Sequence, residues 1–554
     1  MRTHRSGLKF AIVKLGLLTL SLCTVCAAQS PGGELPAATF RIAGTVVSTV
    51  GGGVLDRTRV ILRDTRNPKN VQSLLSGDDG RFEFQVASGK YALQGTKRGF
   101  ITAGYEQHEQ FSTAIVTGAG LDTENLLLKL APSAVLSGRV LDESGEPVRH
   151  ARVALWREDH STGVSRIVRV QNDMTDDLGA YEFTPLDGGT YFLSASGTPW
   201  YAVHPATAAP EGLPVTPAVV DRALDVVYPT AYYLGATESE DATPIPLRGG
   251  DRLEVDLRLG PVPALHVVFR GDQKGESLGQ MPLLQKRAFD GIDLQQGGQE
   301  NIHIISPGVF EMATAPGKYG VSLSGQSRNS RISEVELSQG HQEVDTSAGE
   351  ALSNIKASVQ IPGEDHLPRE LFVMLREGQR RGGDFQQVNG QGELEFANVA
   401  PGTYELVAGS SDNSYSVVQI MSEGQLISGH TLKVTAGSSL LLSLTLAGGS
   451  GRVEGFAKRS GKAMAGAMVV LIPKRPEANR DRFRRDQSDL DGSFLLQSVI
   501  PGAYTVIAIA DGWDLDWSRP GVIAKYASHG QNIVVPSQGG HAIQVPGPVE
   551  VQPK

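Results

Sequence analysis

The chain has 554 residues, with 51 Lys and Arg against 60 Asp and Glu, and this acidic balance argues against general nucleic-acid binding. Its 65 Gly and 30 Pro, beside only 6% aromatic residues, make a turn-rich composition that favours many short strands over long helices. At about 100–200 residues per domain, the length allows three to five cores.

The first residues read as an export signal. Arg2, Arg5, Lys9 and Lys14 precede an apolar run from Leu15 to Val25 that is too short to span a bilayer as a helix. Residues 1–28 are therefore expected to be a signal peptide, cleaved after the small residues Cys26-Ala27-Ala28. The mature protein would be periplasmic, outer-membrane-associated or secreted. Cys23 and Cys26 are the only two cysteines. Both lie inside this segment, so the mature chain is expected to have neither disulfide nor thiol nucleophile. Leu20-Ser21-Leu22 before Cys23 lacks the small residue that normally precedes a lipidated cysteine. Losing the signal's four cations leaves 47 basic and 60 acidic residues, a net charge of −13. No later run is apolar enough to cross a membrane.

After a flexible leader (29–39), strand signals recur in five units. The first, 40–131, opens on Arg41-Ile42-Ala43-Gly44-Thr45-Val46-Val47 and closes on Leu126-Leu127-Leu128-Lys129-Leu130. The second, 134–260, opens on Val135 to Leu141 and carries a Pro-rich insertion at 198–246 before the alternating strand Leu253 to Leu259. The third, 262–350, is the least regular. The fourth, 352–448, and the fifth, 450–546, return to the pattern, and 547–554 reads as a frayed tail. The expected fold is all-β, a tandem array of about five small antiparallel β-sandwiches with strand signals every 8–12 residues. A period near 100 residues exceeds the roughly 20–50 residues of solenoid repeats.

One element marks each unit: a turn, an alternating strand, a second turn and a strand beginning near a Tyr. It runs from Gly80 to Tyr91, Gly179 to Tyr191, Gly308 to Tyr319, Gly392 to Tyr404 and Gly492 to Tyr504, a spacing of 11 or 12 residues. The first Gly is expected at positive φ. Alternation should bury Phe82/Phe84, Tyr181/Phe183, Phe310/Met312, Leu394/Phe396 and Phe494/Leu496. Gly402 and Gly502 are expected to supply a second positive φ. Each Tyr should bury its ring and tie its hydroxyl to backbone, as tyrosine corners do in other sandwiches.

The stretch from Val135 to Tyr191 resembles the carboxypeptidase regulatory-like domain. The matching residues are Gly138-Arg139-Val140, Gly145-Glu146-Pro147-Val148, Ala151-Arg152-Val153, Asp177-Leu178-Gly179-Ala180-Tyr181-Glu182-Phe183 and Gly189-Thr190-Tyr191. The first and fifth units match well, the fourth fairly and the third poorly. The resemblance implies an Ig-like, prealbumin-like sandwich of the carbohydrate-binding-like class. It also implies an accessory module, which in carboxypeptidases accompanies a separate catalytic domain.

No catalytic signature accompanies the repeats. There is no H-E-x-x-H, no G-x-S-x-G elbow, no P-loop and no Rossmann glycine pattern. The histidines, among them His108, His204, His266 and His303, stand singly and read as surface or turn residues. Asp486, Asp489 and Asp491 before Gly492 are expected to serve the turn, because ligands of a calcium loop are missing at Gln487 and Ser498. The basic stretch Lys474 to Arg485 reads as a solvated strand connection. No cofactor and no metal site is expected. The ligand-binding candidates are Trp200, Tyr201, Trp513 and Trp517, whose faces could stack on sugar rings; the alternative is that they cover a sandwich edge or pack between units. The expected function is a non-catalytic extracytoplasmic scaffold, adhesion or interaction protein with envelope partners, or a protein that binds envelope glycans.

Overall fold

The computed structural model describes residues 39–118, 120–209, 221–270, 282–289, 291–294, 302–323, 333–338, 342–345, 352–364, 366–377, 384–411, 414–427, 431–449, 451–536 and 542–554. The expected signal peptide, with Cys23 and Cys26, and most of the leader lie outside these residues. The chain is an all-β, multi-sandwich protein with 55% strand and 4% helix.

The same pairing scheme occurs five times. Each unit's opening strand (Phe40–Ser48, Ala134–Leu141, Leu265–Arg270, Ser353–Gln360, Gly451–Arg459) pairs antiparallel with the strand carrying the alternating Phe or Leu residues. On its other edge it pairs parallel with the strand that closes the unit. The expected antiparallel sandwiches thus each contain parallel pairing at the opening strand as well. The closing strand arrives through a long connection rather than a hairpin, so it can run in the same direction as the first. A second strand pairs with the Tyr-bearing strand (Lys90–Thr96, Gly189–Ser196, Gly317–Leu323, Gly402–Gly409, Gly502–Ile509) in every unit. The inward residues of the two layers form five separate cores, one per unit. The third unit, irregular in sequence, has the same scheme.

The repeated element is the corner of each sandwich. The first Gly has φ between +70° and +82° in all five copies. It also lies against the opening strand. A Cβ on Gly80, Gly179, Gly392 or Gly492 would stand 2.5–2.9 Å from a backbone oxygen of that strand. The Gly carbonyl accepts a hydrogen bond from the same strand, at Val46, Val140, Val359 and Ala457, over 2.7–2.9 Å. Only Gly combines that φ with that approach.

At the far end of the element, the five Tyr side chains are buried and each hydroxyl donates to the carbonyl four residues earlier: Tyr91 to Ala87, Tyr191 to Asp187, Tyr319 to Ala315, Tyr404 to Ala400 and Tyr504 to Ile500, at 2.6–3.0 Å. In four of the five copies the ring lies across the Gly two residues back, whereas Gly189 of the second unit faces Arg157. A Cβ on Gly89, Gly317, Gly402 or Gly502 would meet a ring carbon at 3.3–3.4 Å. Gly502 has φ +157°, whereas Gly402 lies outside the positive range. The common need is space under the ring, not a left-handed backbone.

One further expectation changes. Residues 547–554 are not a frayed tail: Val549–Gln552 is a strand paired parallel with both Gly451–Arg459 and Gly502–Ile509, and Val549 and Val551 are buried. The units also touch one another. Leu490, in the turn of the fifth unit, packs on the core of the first. A cluster around Trp513 and Trp517 includes Phe111 of the first unit. Phe289 of the third enters an aromatic pocket of Trp156, Phe192 and Tyr232 in the second, with ring centroids 5.1–5.7 Å apart.

The corner bond sets a first expectation. In the mature chain, Tyr504→Phe removes one buried hydrogen bond and should cost about 1 kcal/mol, while Tyr504→Ala should cost about 3–5 kcal/mol. Chemical denaturation followed by tryptophan fluorescence reports on this unit through Trp513 and Trp517. Equal stability of the Phe variant and wild type would refute the bond's contribution.

Candidate functional site

Three of the four aromatic candidates already have partners within the chain. Trp513 and Trp517 follow the Tyr-bearing strand of the fifth unit and precede its helix, Pro520–Ala527. Both are buried, at 9% and 6% exposure. They box the guanidinium of Arg485, which lies 4.5 Å from the Trp517 ring centre, 5.7 Å from that of Trp513 and 5.4 Å from that of Phe111. His108 stacks on Trp513 at 5.0 Å with ring planes 4° apart. Stacking on a sugar at Trp513 and Trp517 is thereby corrected: their faces are occupied by the protein's own side chains.

Arg485 is the centre of this arrangement. It stands on the edge strand Arg484–Gln487, its side chain 4% exposed. It forms a two-pronged ion pair with Glu109 of the first unit at 2.7 and 3.1 Å. It also donates to the carbonyl of Ser161 in the second unit at 2.9 Å. One guanidinium thus joins three units, using the planar fork and the stacking faces that distinguish Arg from Lys. Around it, Gln487 donates to Glu106 O at 2.6 Å and to Thr113 Oγ1 at 2.8 Å. Ser165 N donates to Asp516 at 2.7 Å, and Ser518 N to Gly163 O at 3.0 Å. A Cβ on Gly163, at φ +79°, would stand 2.7 Å from the Trp517 ring. The basic stretch is therefore not a solvated connection at its end: Arg484 is also largely buried and donates to the carbonyls of Asp481, Phe483 and Ser498.

The acids before Gly492 serve turns and a junction. Asp491 accepts from Ser493 N at 2.9 Å, and Asp486 from Leu495 N at 2.7 Å. Asp489 reaches the first unit: it accepts from Lys90 Nζ at 2.5 Å and from Ala114 N at 2.8 Å. Burial pushes Asp486 up to about 6, against the lowering effect of its backbone donors and Lys90. Burial also raises Asp489. Among the described residues no group of three or more His, Cys, Asp or Glu side chains could hold a metal ion.

Trp200 is different. It is 86% exposed, the most exposed large apolar side chain among the described residues. It occupies the tight turn Pro199–Ala202, closed by Ala202 N to Pro199 O at 3.1 Å. Tyr201 meets it edge-on, with centroids 5.8 Å apart and planes at 88°. The Tyr201 hydroxyl donates to Glu143, whose other oxygen accepts from the buried Tyr228 hydroxyl at 3.0 Å. Burial tends to raise the Glu143 carboxyl, but the two hydroxyls hold it below its ordinary value. Tyr201 is pushed up to about 12 by burial and by Glu143. The structure thus separates the four candidates into one exposed indole, Trp200, one residue that anchors its turn, Tyr201, and two residues of an internal lock.

Sequence reasoning missed Arg485, Glu109, Lys90 and Gln487, because only packing of distant units gives them partners. It also took His204, His266 and His303 as separate, and the structure brings them together with Asp225 and Glu311 where the second unit's insertion crosses the third.

No protein-family model matches this chain, and no curated protein matches it. Among solved structures it is similar to the Bacillus anthracis TIE protein, with 11% identity over 76% of each chain and a TM-score of 0.17. It is also similar to a Streptococcal ancillary pilin, with 11% identity over 55% of this chain and 98% of that one and a TM-score of 0.19. A shaft pilin from Lactobacillus rhamnosus GG matches with 11% identity over 41% and 100% and a TM-score of 0.19. At these scores no residue of this chain takes a role from theirs.

Two outcomes follow from the lock and its acids. Arg485→Ala leaves Glu109 without its cation and should cost about 3–5 kcal/mol, exposing residues 106–111 to limited proteolysis. Arg485→Lys should not restore protection, since an ammonium cannot pair in two prongs and fill the aromatic box; protection by Lys would reduce the site to a simple charge. For Asp486, the folded value lies above the unfolded one, so folding favours the neutral form and stability is lost as pH rises through about 6. Asp486→Asn should therefore raise the unfolding midpoint at pH 8 and change it little at pH 4. A gain of the same size at both values would show that its charge is not penalised.

Proposed function

We propose that this chain is a non-catalytic, exported envelope scaffold, built of five carboxypeptidase regulatory-like sandwiches at 40–131, 134–260, 262–350, 352–448 and 450–546. The observation that carries the reading is the three-unit lock at Arg485, reinforced by Lys90–Asp489. Buried, charged and aromatic side chains, the usual material of an active site, are here spent on fastening one unit to another. The fifth unit closes back on the first and second, giving a fixed body whose remaining faces are available to envelope partners. Among the described residues no helix is long and apolar enough to cross a membrane.

A second reading, binding of an envelope glycan, is favoured by one specific observation: the free face of Trp200 on a turn anchored through Tyr201 and Glu143. An exposed indole on a rigid turn can cover the apolar face of a pyranose with little loss of entropy.

In-cell cross-linking of the mature protein separates the two. The scaffold reading expects reproducible adducts with a small set of envelope proteins, unchanged by Trp200→Ala and lost when Lys90→Glu and Arg485→Ala open the body. The glycan reading expects signal on an array of envelope polysaccharides, reduced at least tenfold by Trp200→Ala. Hydrolysis of a peptide or glycan panel by the purified chain would overturn both.

A further inference from the structure

We infer that the two described arms of the second unit's insertion, residues 198–209 and 221–246, act as a strap whose attachment to the third unit is released when His266 loses its proton. His266 is on the opening strand of the third unit, Leu265–Arg270, and is buried. Its Nδ1 is 3.1 Å from Glu311 Oε1 and its Nε2 is 2.8 Å from Asp225 Oδ2. A carboxylate only accepts hydrogen bonds, and a neutral imidazole has a single N–H. With both carboxyls ionised, both contacts are satisfied together only by the imidazolium. The donors that converge on Glu311 from Thr207 and Ala208 favour its ionised form, and the geometry then places a charged, buried histidine between two carboxylates.

Each carboxylate belongs to the attachment. Glu311, on the neighbouring strand Val309–Thr314, is wholly buried and accepts from Thr207 N at 2.9 Å and Ala208 N at 3.0 Å, as well as from the Thr207 hydroxyl. Asp225 comes from the other arm of the strap and also faces His204 Nδ1 at 3.2 Å. The arms are tied to each other by Val203 N to Leu224 O at 2.8 Å. His303, on Ile302–Ser306, contacts the carbonyl of His204 at 2.8 Å. The titratable groups facing His266 are thus Asp225 and His204 from the strap, Glu311 from its own sheet, and His303 one step away. His204 Nε2 is buried without a partner, so it brings no compensating bond.

Burial alone would lower the His266 pKa, but hydrogen bonding and charge from Glu311 and Asp225 raise it above its ordinary value. Glu311 is held down at about 2: burial opposes this, and His266, Thr207 and Ala208 outweigh it. The stability His266 supplies is complete below the unfolded value, about 6.5, and is lost as pH rises through its higher folded value. The stability from Glu311 is complete above its unfolded value and is lost only as pH falls toward about 2. The strap is therefore tight below the folded value of His266 and lifts as pH rises through it. The two units stay joined when it lifts, because Phe289 in its aromatic pocket has no charge to lose.

The test is hydrogen–deuterium exchange on the mature chain from pH 5.5 to 9, corrected for intrinsic exchange rates, with histidine-detected NMR titration of the same protein. Protection at 203–208 and 224–225 should fall at least tenfold, with a midpoint above that of a free histidine, while the core strand Ser353–Gln360 is unaffected. His266→Gln should show the low protection at every pH. Constant protection across the range in wild type, or the same transition in His266→Gln, overturns the inference. Should His266→Gln fail to fold, the wild-type titration decides: a His266 pKa at or below about 6.5 overturns it equally, and one above it, matched to the exchange midpoint, supports it.

Discussion

The structure depends on one short-range bond repeated five times: a Tyr hydroxyl donating to the carbonyl four residues before it, with the ring lying over a Gly in four of the copies. That bond fixes the angle at which the strand with the alternating Phe or Leu residues turns into the returning strand. In the first three units those strands lie in separate sheets, and in the fourth and fifth they lie apart in one nine-stranded sheet that folds round the core, so in every unit the corner sets how far apart the two walls of the core stand and so what the core can contain. The Gly under the ring and the Gly at positive φ on the preceding turn are consequences. One leaves room for the ring, and the other lets the turn touch the opening strand. Losing acidic residues from the turn of the third unit leaves the corner intact, which shows that the acids are dispensable to it.

Once the corner carries the fold, the turn residues beside it are free to do other work. In the fifth unit they do. Asp489 and Leu490 leave their own sandwich and meet Lys90, Ala114 and the core of the first unit. The same position is occupied by Asp176 in the second unit, where the carboxylate accepts only from its own turn, at Leu178 N and Ala180 N. A single structural slot thus closes a local turn in one copy and docks a distant unit in another. The difference lies in what stands opposite, not in the slot.

This explains which parts were legible in the sequence. The inward Phe, Tyr and Leu residues, the spacing from Gly to Tyr and the hydroxyl-to-backbone bond are local, and period-two alternation with turn chemistry exposes them. The parallel closing strands were not legible, because their direction depends on how a long connection returns. The strand at Val549–Gln552 looked like a tail because only four residues alternate there, and its partners lie about 40 and 90 positions earlier in the pairing with Ala508 and Ala457. The site was legible in composition and not in arrangement. Four aromatics stood out from a background of 6%, but whether a ring is platform or packing is decided by residues hundreds of positions away, such as Glu109 for the box around Arg485.

The contrast between Trp200 and Trp517 then follows from charge rather than from hydrophobicity. A buried guanidinium is costly to desolvate, and an ion pair alone often fails to offset that cost. Arg485 meets it with Glu109, a carbonyl of the second unit and three aromatic faces, whose attraction to a desolvated cation can reach about 2 kcal/mol. Trp517 is therefore needed where it is, and its ring cannot be lent to a ligand without stranding the cation beneath it. Trp200 has no such obligation. Its neighbour Tyr201 is held by Glu143, while its own face makes no contact that the fold requires. Of the four aromatic candidates, Trp513 and Trp517 are committed to the lock and Tyr201 is tied to Glu143, which leaves the Trp200 ring as the one that the proposed glycan reading depends on.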